Sequence, residues 1–133
     1  MIAFIILCAF CLAAVLITHK MPNPPKEVKV YCEVMCVQHT LFEHDVNALV
    51  DFGIAEQGKY ANGWIYNSEN NKKYSFASPM SVIDYMAKRD WEYEDAIIVS
   101  EDKSCVWHFI LAKDIPYNYT DEDIICDIDY RIM

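Results

Sequence analysis

The stretch VKVYCEVMCVQ, residues Val28–Gln38, alternates between two kinds of side chain along its whole length. Successive side chains of a strand point to opposite faces, so a period of two predicts a strand with one buried face. Three valines and two cysteines share the face expected to be buried, and the other face carries Lys29, Tyr31, Glu33 and Met35. The stretch therefore predicts a half-buried strand.

Further strands are expected on either side of it. Residues Val46–Ile54 repeat the alternation. Segments 64–67 and 73–76 flank the turn-rich SENNK and predict a short hairpin. A second hairpin is predicted for 93–100 and 105–113 around EDK, carrying Ile97, Ile98, Val99, Val106, Phe109, Ile110 and Leu111.

Ser78 and Pro79 predict the start of a helix. Serine accepts a backbone N–H bond at the N-cap, and proline suits the first helical position, where its missing N–H costs nothing. We expect the helix to reach about Arg89, with Asp90 at the position after its C-cap and Trp91 packed back over it. Its buried face is predicted to hold Val82, Ile83 and Met86, with Tyr85 beside them.

This order of elements predicts an α+β fold: an N-terminal transmembrane helix, then a small antiparallel sheet of about five to six strands with one helix packed on one face. Residues 1–20 are expected to form the transmembrane helix or signal anchor and 21–27 a Pro-rich linker. Residues 28–115 are the expected α+β domain and 116–133 an acidic tail, whose conformation the pattern leaves open between a helix and an edge strand.

The membrane prediction rests on Ile2–Ile17 (IAFIILCAFCLAAVLI), which has no charge, proline or glycine. With its flanking residues and Lys20 reaching the headgroups, it approaches the ~20 residues that span a bilayer. A cleaved signal peptide is the alternative, but no basic residue precedes the stretch and no small-x-small site follows it. The pattern favours an uncleaved, single-pass membrane anchor.

The side of the membrane is predicted from the lysines. Lys20, Lys26 and Lys29 follow the apolar stretch and no basic side chain precedes it, which favours a cytoplasmic domain over a periplasmic or extracellular one. The chain has six cysteines, four of them beyond the stretch. They fit either two disulfides outside the cell or reduced core residues inside it.

The charge of the chain limits its partners. The formal net charge is −9, and a surface this negative is repelled by nucleic acid, so we exclude DNA or RNA binding as a primary role. The 14% aromatic content favours an ordered domain over a disordered one.

Two segments, FASPMSVIDYMAKRDWE (Phe76–Glu92) and CVWHFILAKDI (Cys105–Ile115), resemble a family of short uncharacterised bacterial proteins. That family has an F-x-S motif leading to Gly-Trp-Glu, and a V-(Y/W)-H-x-x-L-x-K strand. The VDFG of Val50–Gly53 also fits it, whereas Asp90 stands where the family has glycine. The resemblance covers roughly Tyr31–Ile115. It implies a sheet with one helix and no established activity.

Two sets of cysteines could carry chemistry, but neither has the spacing and surroundings that such a site requires. Cys32 and Cys36, with His39 and His44 nearby, could be metal ligands, but about 13 Å separates the two cysteines along a straight strand. We therefore expect core cysteines and no metal. Cys8 and Cys11 have redox spacing, but they lie in the apolar stretch, where a helix–helix contact is the simpler interpretation.

His108 and Cys105 could form a nucleophile pair in a small hydrolase. Positions three apart on a strand face opposite ways, so the two are not expected to meet. The sequence predicts no catalytic residue. It has no glycine-rich phosphate loop or calcium loop, and no cofactor is expected.

The residues expected to bind a partner are aromatic or acidic: Trp64, Tyr66, Tyr117, Tyr119, Asp121, Glu122 and Asp123. The leading hypothesis is a membrane-anchored protein-interaction module, held at the membrane by residues 1–20 and bound to an unknown protein, without catalytic activity. The alternative is a secreted or periplasmic ligand-binding domain released by signal-peptide cleavage. A hydrolase that uses His108 ranks below both.

Overall fold

The computed structural model describes residues 23–38, 45–54, 62–101, 104–125 and 128–132. The strands are β1 (Glu27–Gln38), β2 (Val46–Asp51), β3 (Gly63–Asn67), β4 (Lys72–Lys73), β5 (Glu92–Glu101), β6 (Ser104–Pro116) and β7 (Tyr130–Ile132), and the helices are α1 (Pro79–Ala87) and α2 (Asp121–Ile125). In this part of the chain all strand pairs are antiparallel and form one seven-stranded sheet, in the order β4-β3-β2-β1-β6-β5 with β7 on β3.

Strand β1 lies in the middle of the sheet, since both of its edges are paired. Val34 faces Val50 of β2 on one side and Phe109 of β6 on the other. The predicted alternation is confirmed: Cys32, Val34 and Cys36 are buried, while the residues between them are only partly buried. The inward residues of β2, Val46, Ala48 and Val50, are buried as predicted, but Leu49 on its other face is buried as well.

The core forms on one face of this sheet. Both helices pack there, because Val82 and Met86 of α1 and Ile124 of α2 join the same apolar cluster as the inward residues of β1 and β2. Each fully buried large apolar side chain contributes roughly 1.5–3 kcal/mol relative to an exposed one. The largest are Trp91, Ile65, Met86 and Leu111.

Helix α1 begins as the sequence predicts. Ser78 is the N-cap, with an extended backbone, and its Oγ accepts the backbone N–H of Ser81 at 3.3 Å. Pro79 occupies the first turn, where no intrahelical N–H bond is lost. Val82 and Met86 are buried, which confirms the predicted face.

The end of α1 has the hydrogen bonds of a Schellman motif. The Trp91 N–H donates to the Met86 carbonyl at 3.2 Å and the Asp90 N–H to the Ala87 carbonyl at 3.1 Å. Asp90 lies in the left-handed region, with φ of 65°. The predicted position of Asp90 beyond the helix is thus confirmed, and the chain turns so that Trp91 packs with Met86 in the core.

Replacing Asp90 with glycine should raise the free energy of unfolding by about 0.5–1 kcal/mol, because glycine adopts this φ without the steric cost that a Cβ brings. A urea titration measures the change. The matched control is Asp84→Gly in the middle of α1, where the same substitution should cost about 1 kcal/mol. A loss of stability in Asp90→Gly would contradict the role given to the motif.

The predicted first hairpin is shorter than expected. Strand β4 covers Lys72–Lys73 and pairs with β3. Phe76 instead exchanges two backbone hydrogen bonds of 2.8 Å with Val46. The second predicted hairpin, β5 with β6, is confirmed and is longer at both ends.

The segment expected as an acidic tail is part of the folded domain. Ile124 and Ile128 are buried in the core cluster, and β7 pairs with β3 over Gly63–Ile65. Gly63 permits this approach, because a Cβ there would lie 2.5 Å from the Arg131 carbonyl oxygen. Both conformations left open by the sequence occur, a short helix followed by a strand.

The predicted α+β fold class was wrong. The described chain is dominated by antiparallel sheet, with seven strands where about five or six were expected, and its helices have nine and five residues. The reason is that β7 comes from the segment excluded from the domain, and that sheet pairing over long sequence distances does not follow from local periodicity.

The transmembrane helix is corrected as well. Across the described ranges, none of the helices has the length and apolar character needed to cross a bilayer. Residues 1–20, on which that prediction and the localisation were based, lie outside the described residues. The side of a membrane that the domain would face stays a prediction.

Candidate functional site

Strand β5 is the outermost strand on its side of the sheet. Within the described part of the chain it pairs with β6 alone, so its other edge carries unpaired backbone N–H and C=O groups over a strand of ten residues. A register shift between Tyr93 and Asp95 marks a bulge near its start. The regular, pairing-competent part of this edge therefore begins at Asp95.

Three consecutive apolar residues on β5 are exposed. Ile97 is 60% exposed, Ile98 62% and Val99 41%. Ile98 lies opposite Trp107 at the end of the core face, while Ile97 and Val99 lie opposite His108 and Val106 on the other face. The edge therefore presents apolar side chains on both faces of the sheet.

The other face of the sheet, which we call the second face, is also apolar. Its cross-strand neighbours, placed by the register, are Tyr31, Met35, Val37, Leu49, Trp64, Ile97, Val99, Val106, His108 and Ile110. None of these side chains belongs to the core cluster of the described residues. The apolar part of the β5 edge thus continues into an apolar surface across β6 and β1.

A polar pair lies within the second face. His108 Nδ1 is 2.6 Å from Glu33 Oε1, and both side chains are partly exposed. The residues opposite His108 on the neighbouring strands, Met35 and Ile97, carry no hydroxyl or thiol. Cys105 points to the opposite face of the sheet, as predicted. Among the described residues, the pair has an acid and a base but no adjacent nucleophile, so it fits a structural contact between β1 and β6.

Carboxylates surround the start of β5. Glu92, Glu94 and Asp95 are exposed. Lys29 lies 4.0 Å from Glu94 and 3.5 Å from Asp114 and is shared between them. Desolvation lowers the pKa of Lys29, but the carboxylates of Asp114, Glu94 and Glu92 raise it more, so the pKa lies above its ordinary value. Asp95 Oδ1 accepts the backbone N–H of Ala96 at 2.8 Å.

Two predicted partner-binding residues, Trp64 and Tyr66, lie side by side on β3 with cations over their rings. Lys73 Nζ is 3.8 Å from the centre of the Trp64 ring, and the Arg131 guanidinium carbon is 4.5 Å from that of Tyr66. Both aromatic residues are only partly exposed. The contacts stabilise β4 and β7 against β3 and leave less aromatic surface for a partner than the sequence predicts.

The other predicted residues lie around α2. Tyr117 is 52% exposed and Tyr119 38%. Tyr119 and Asp121 line a cavity of about 430 Å³ together with Lys29 and Tyr31. These residues are therefore placed beside the start of β1, apart from the pair on β3.

Asp123 caps α2. Its carboxylate accepts the backbone N–H of Thr120 at 2.7 Å and the Thr120 hydroxyl at 2.9 Å, and these bonds lower the pKa of Asp123. Glu122 beside it is exposed. Asp123 thus has a local structural role in addition to the partner role predicted for it.

Cys32 and Cys36 are free thiols buried in the core. Desolvation raises the pKa of Cys32 far above its ordinary value, with a contribution from Asp51, and raises the pKa of Cys36 to about 12. Within the described ranges, no group of three or more His, Cys, Asp or Glu side chains could hold a metal ion. The other predicted ligands and the redox pair lie outside the described residues: His39, His44, Cys8 and Cys11.

In the native protein, iodoacetamide should alkylate the half-buried Cys105 at least tenfold faster than Cys32 or Cys36, because the buried thiols are shielded and remain protonated near pH 8. Mass spectrometry of the digested protein assigns each site. In urea the three rates should converge, which is the control for burial. Rapid labelling of Cys36 without denaturant would contradict the packing of β1.

The exposed apolar residues of the β5 edge were not predicted as a site from the sequence. Ile97, Ile98 and Val99 were predicted as part of a hairpin, without a binding role. The available signal was a short apolar run flanked by acids and lacking the alternation of a half-buried strand.

Comparison with known protein families, curated proteins and solved structures gives no match for this chain. The resemblance to short bacterial proteins therefore stays an expectation.

Proposed function

We propose that this protein is a protein-interaction module that binds an extended segment of a partner by adding it to the sheet as a strand beside β5. The observation that carries the proposal is the outer edge of β5, which pairs with no other described strand and has three exposed apolar residues, Ile97, Ile98 and Val99. Strand addition takes affinity from main-chain hydrogen bonds and specificity from alternate side chains. The proposal assigns the protein no catalytic role.

The shape of the edge supports this mode of binding. Natural proteins usually shield such edges with charges, prolines, bulges or a covering element, because an open edge is a template for pairing. Here the bulge and the acids lie at the start of β5, and the apolar residues follow them. An added strand would place alternate side chains beside Ile97 and Val99 on the second face and beside Ile98 on the other.

A library of ten-residue peptides displayed on phage and selected on the full-length protein tests the proposal. We expect peptides with alternating β-branched residues, whose binding protects those amides of residues 96–100 that point away from β6 from hydrogen exchange. Ile98→Lys should weaken their binding at least tenfold, since an edge lysine opposes strand addition. Ile98 is 62% exposed, so the fold should tolerate the change.

The matched control is Met80→Lys, which places the same side chain at another exposed apolar position, 68% exposed on α1. It should bind the selected peptides like the unmodified protein. Unfolding curves of both variants establish that they fold. The proposal fails when no peptide is enriched, or when Ile98→Lys binds as well as Met80→Lys does.

The predicted alternative, a secreted or periplasmic ligand-binding domain, stays a prediction, and the localisation with it.

A further inference from the structure

We infer that the segment bound at β5 is apolar in its centre and carries lysine or arginine at the end that lies beside the start of β5. This inference rests on the proposed function and names the chemistry of the partner. It follows from the charges around the edge, from the cost of pairing β5 with a second copy of itself, and from the position of the exposed apolar residues.

Exposed carboxylates cluster around the start of β5. Glu92, Glu94 and Asp95 are exposed, and Asp114 on β6 adds a fourth carboxylate near them. Lys29 makes an ion pair to this strand and is divided between Glu94 and Asp114, whereas Lys113 on β6 donates to the Arg89 carbonyl at 3.0 Å. A partner with cations at its end would supply the missing opposite charge.

A second copy of this chain is a poor occupant of the same edge. In an antiparallel pairing centred on Ile98, position 95 faces position 101 of the copy, so an aspartate meets a glutamate twice. A parallel pairing would align each acid with the same acid. The net charge of −9 on each copy adds a repulsion between the two domains.

A basic strand would be attracted to the carboxylates of β5, whereas a second copy of the chain would be repelled by them. Opposite charges across neighbouring strands stabilise their pairing, and complementary potentials speed the encounter of the two chains. Beyond the bulge, the regular edge offers the run from Ala96 to Ser100. A partner of about five β-branched residues with a basic end would place its apolar part on this run and its charges beside Glu94 and Asp95.

Two synthetic peptides test the inference on the full-length protein. Both have the same five β-branched residues, flanked on each side by two lysines in one peptide and by two glutamates in the other. At low salt the lysine peptide should bind at least tenfold tighter by fluorescence anisotropy. Because salt screens exposed charges, the preference should fall to less than threefold in 0.5 M sodium chloride.

A double variant locates the effect. Glu92→Gln with Glu94→Gln should lower the preference for the lysine peptide at least threefold. The control, Glu69→Gln with Asp84→Asn, removes the same charge from exposed positions on the turn before β4 and on α1. It should keep the preference, which separates an effect of the edge from an effect of the net charge.

Each other result overturns the inference in a distinct way. Equal binding of both peptides, with protection of residues 96–100, would reject the basic partner and leave strand addition intact. Binding that Ile98→Lys does not weaken, or no binding at all, would reject the basic partner and count against strand addition as well. Sedimentation showing a dimer that Ile98→Lys dissociates would make a second copy the occupant. An equal loss of preference in both double variants would assign the effect to net charge alone.

Discussion

Replacing Trp91 with alanine should lower the free energy of unfolding by about 3–5 kcal/mol, the usual range for removing a buried large aromatic side chain. Trp91 is 2% exposed, and its ring centre lies 5.9 Å from that of Phe52. It also follows the Schellman motif that ends α1, so its loss leaves a cavity between the helix and the sheet. Small domains unfold at a cost of about 5–15 kcal/mol, so much of the stability would be lost.

The matched control for this variant is Trp64→Ala. Trp64 is only partly buried on β3, with Lys73 over its ring, and its removal should cost about 1–2 kcal/mol. Urea unfolding followed by circular dichroism compares the two, because neither variant then depends on the tryptophan signal. Similar losses in both variants would contradict the placement of Trp91 at the centre of the core.

Replacing Gly63 with alanine should cost about 1–3 kcal/mol and release β7 from the sheet. A Cβ at Gly63 would lie 2.5 Å from the Arg131 carbonyl oxygen and 2.6 Å from Tyr130 Cδ2, and the backbone atom cannot move aside without displacing the strand. Hydrogen exchange at β7 should therefore accelerate more than exchange in β1.

Gly53→Ala separates this contact from the general cost of replacing a glycine. Gly53 has φ of 66° and open space within 4 Å of its Cβ position. Alanine there should cost about 1 kcal/mol through backbone strain, without any effect on β7. Equal exchange at β7 in the two variants would reject the close packing of β7 on Gly63.

Much of the fold could be predicted from local patterns in the sequence. The period of two in β1 and β2, the Ser78–Pro79 start of α1 and the Asp90 turn all depend on neighbours within a few residues, and all were predicted. The burial of Leu49 and of Ala112, which lies opposite Tyr31 on the second face, was not predicted. Their burial depends on which strands lie beside them.

The candidate site was less predictable for the same reason. Ile97–Val99 lie on the outer edge because β1 pairs with β6 and not with β5. Local sequence patterns do not predict which of the two strands pairs with β1. Trp64 and Tyr66 were singled out for their side chains, but Lys73 and Arg131 cover their rings. Arg131 comes from the segment 116–133, which was predicted to lie outside the domain.

The central position of β1 has a consequence for synthesis of the chain. Residues 39–103 separate β1 from β6, so at ribosomal rates of ~5–20 residues per second the nascent β1 waits about 3–13 s for the partner on that side. During this time the valines and cysteines of β1 lack the packing that β6 provides on one side. Productive folding therefore belongs to the late stage of translation, and a chaperone that holds extended apolar segments would raise the yield of native protein.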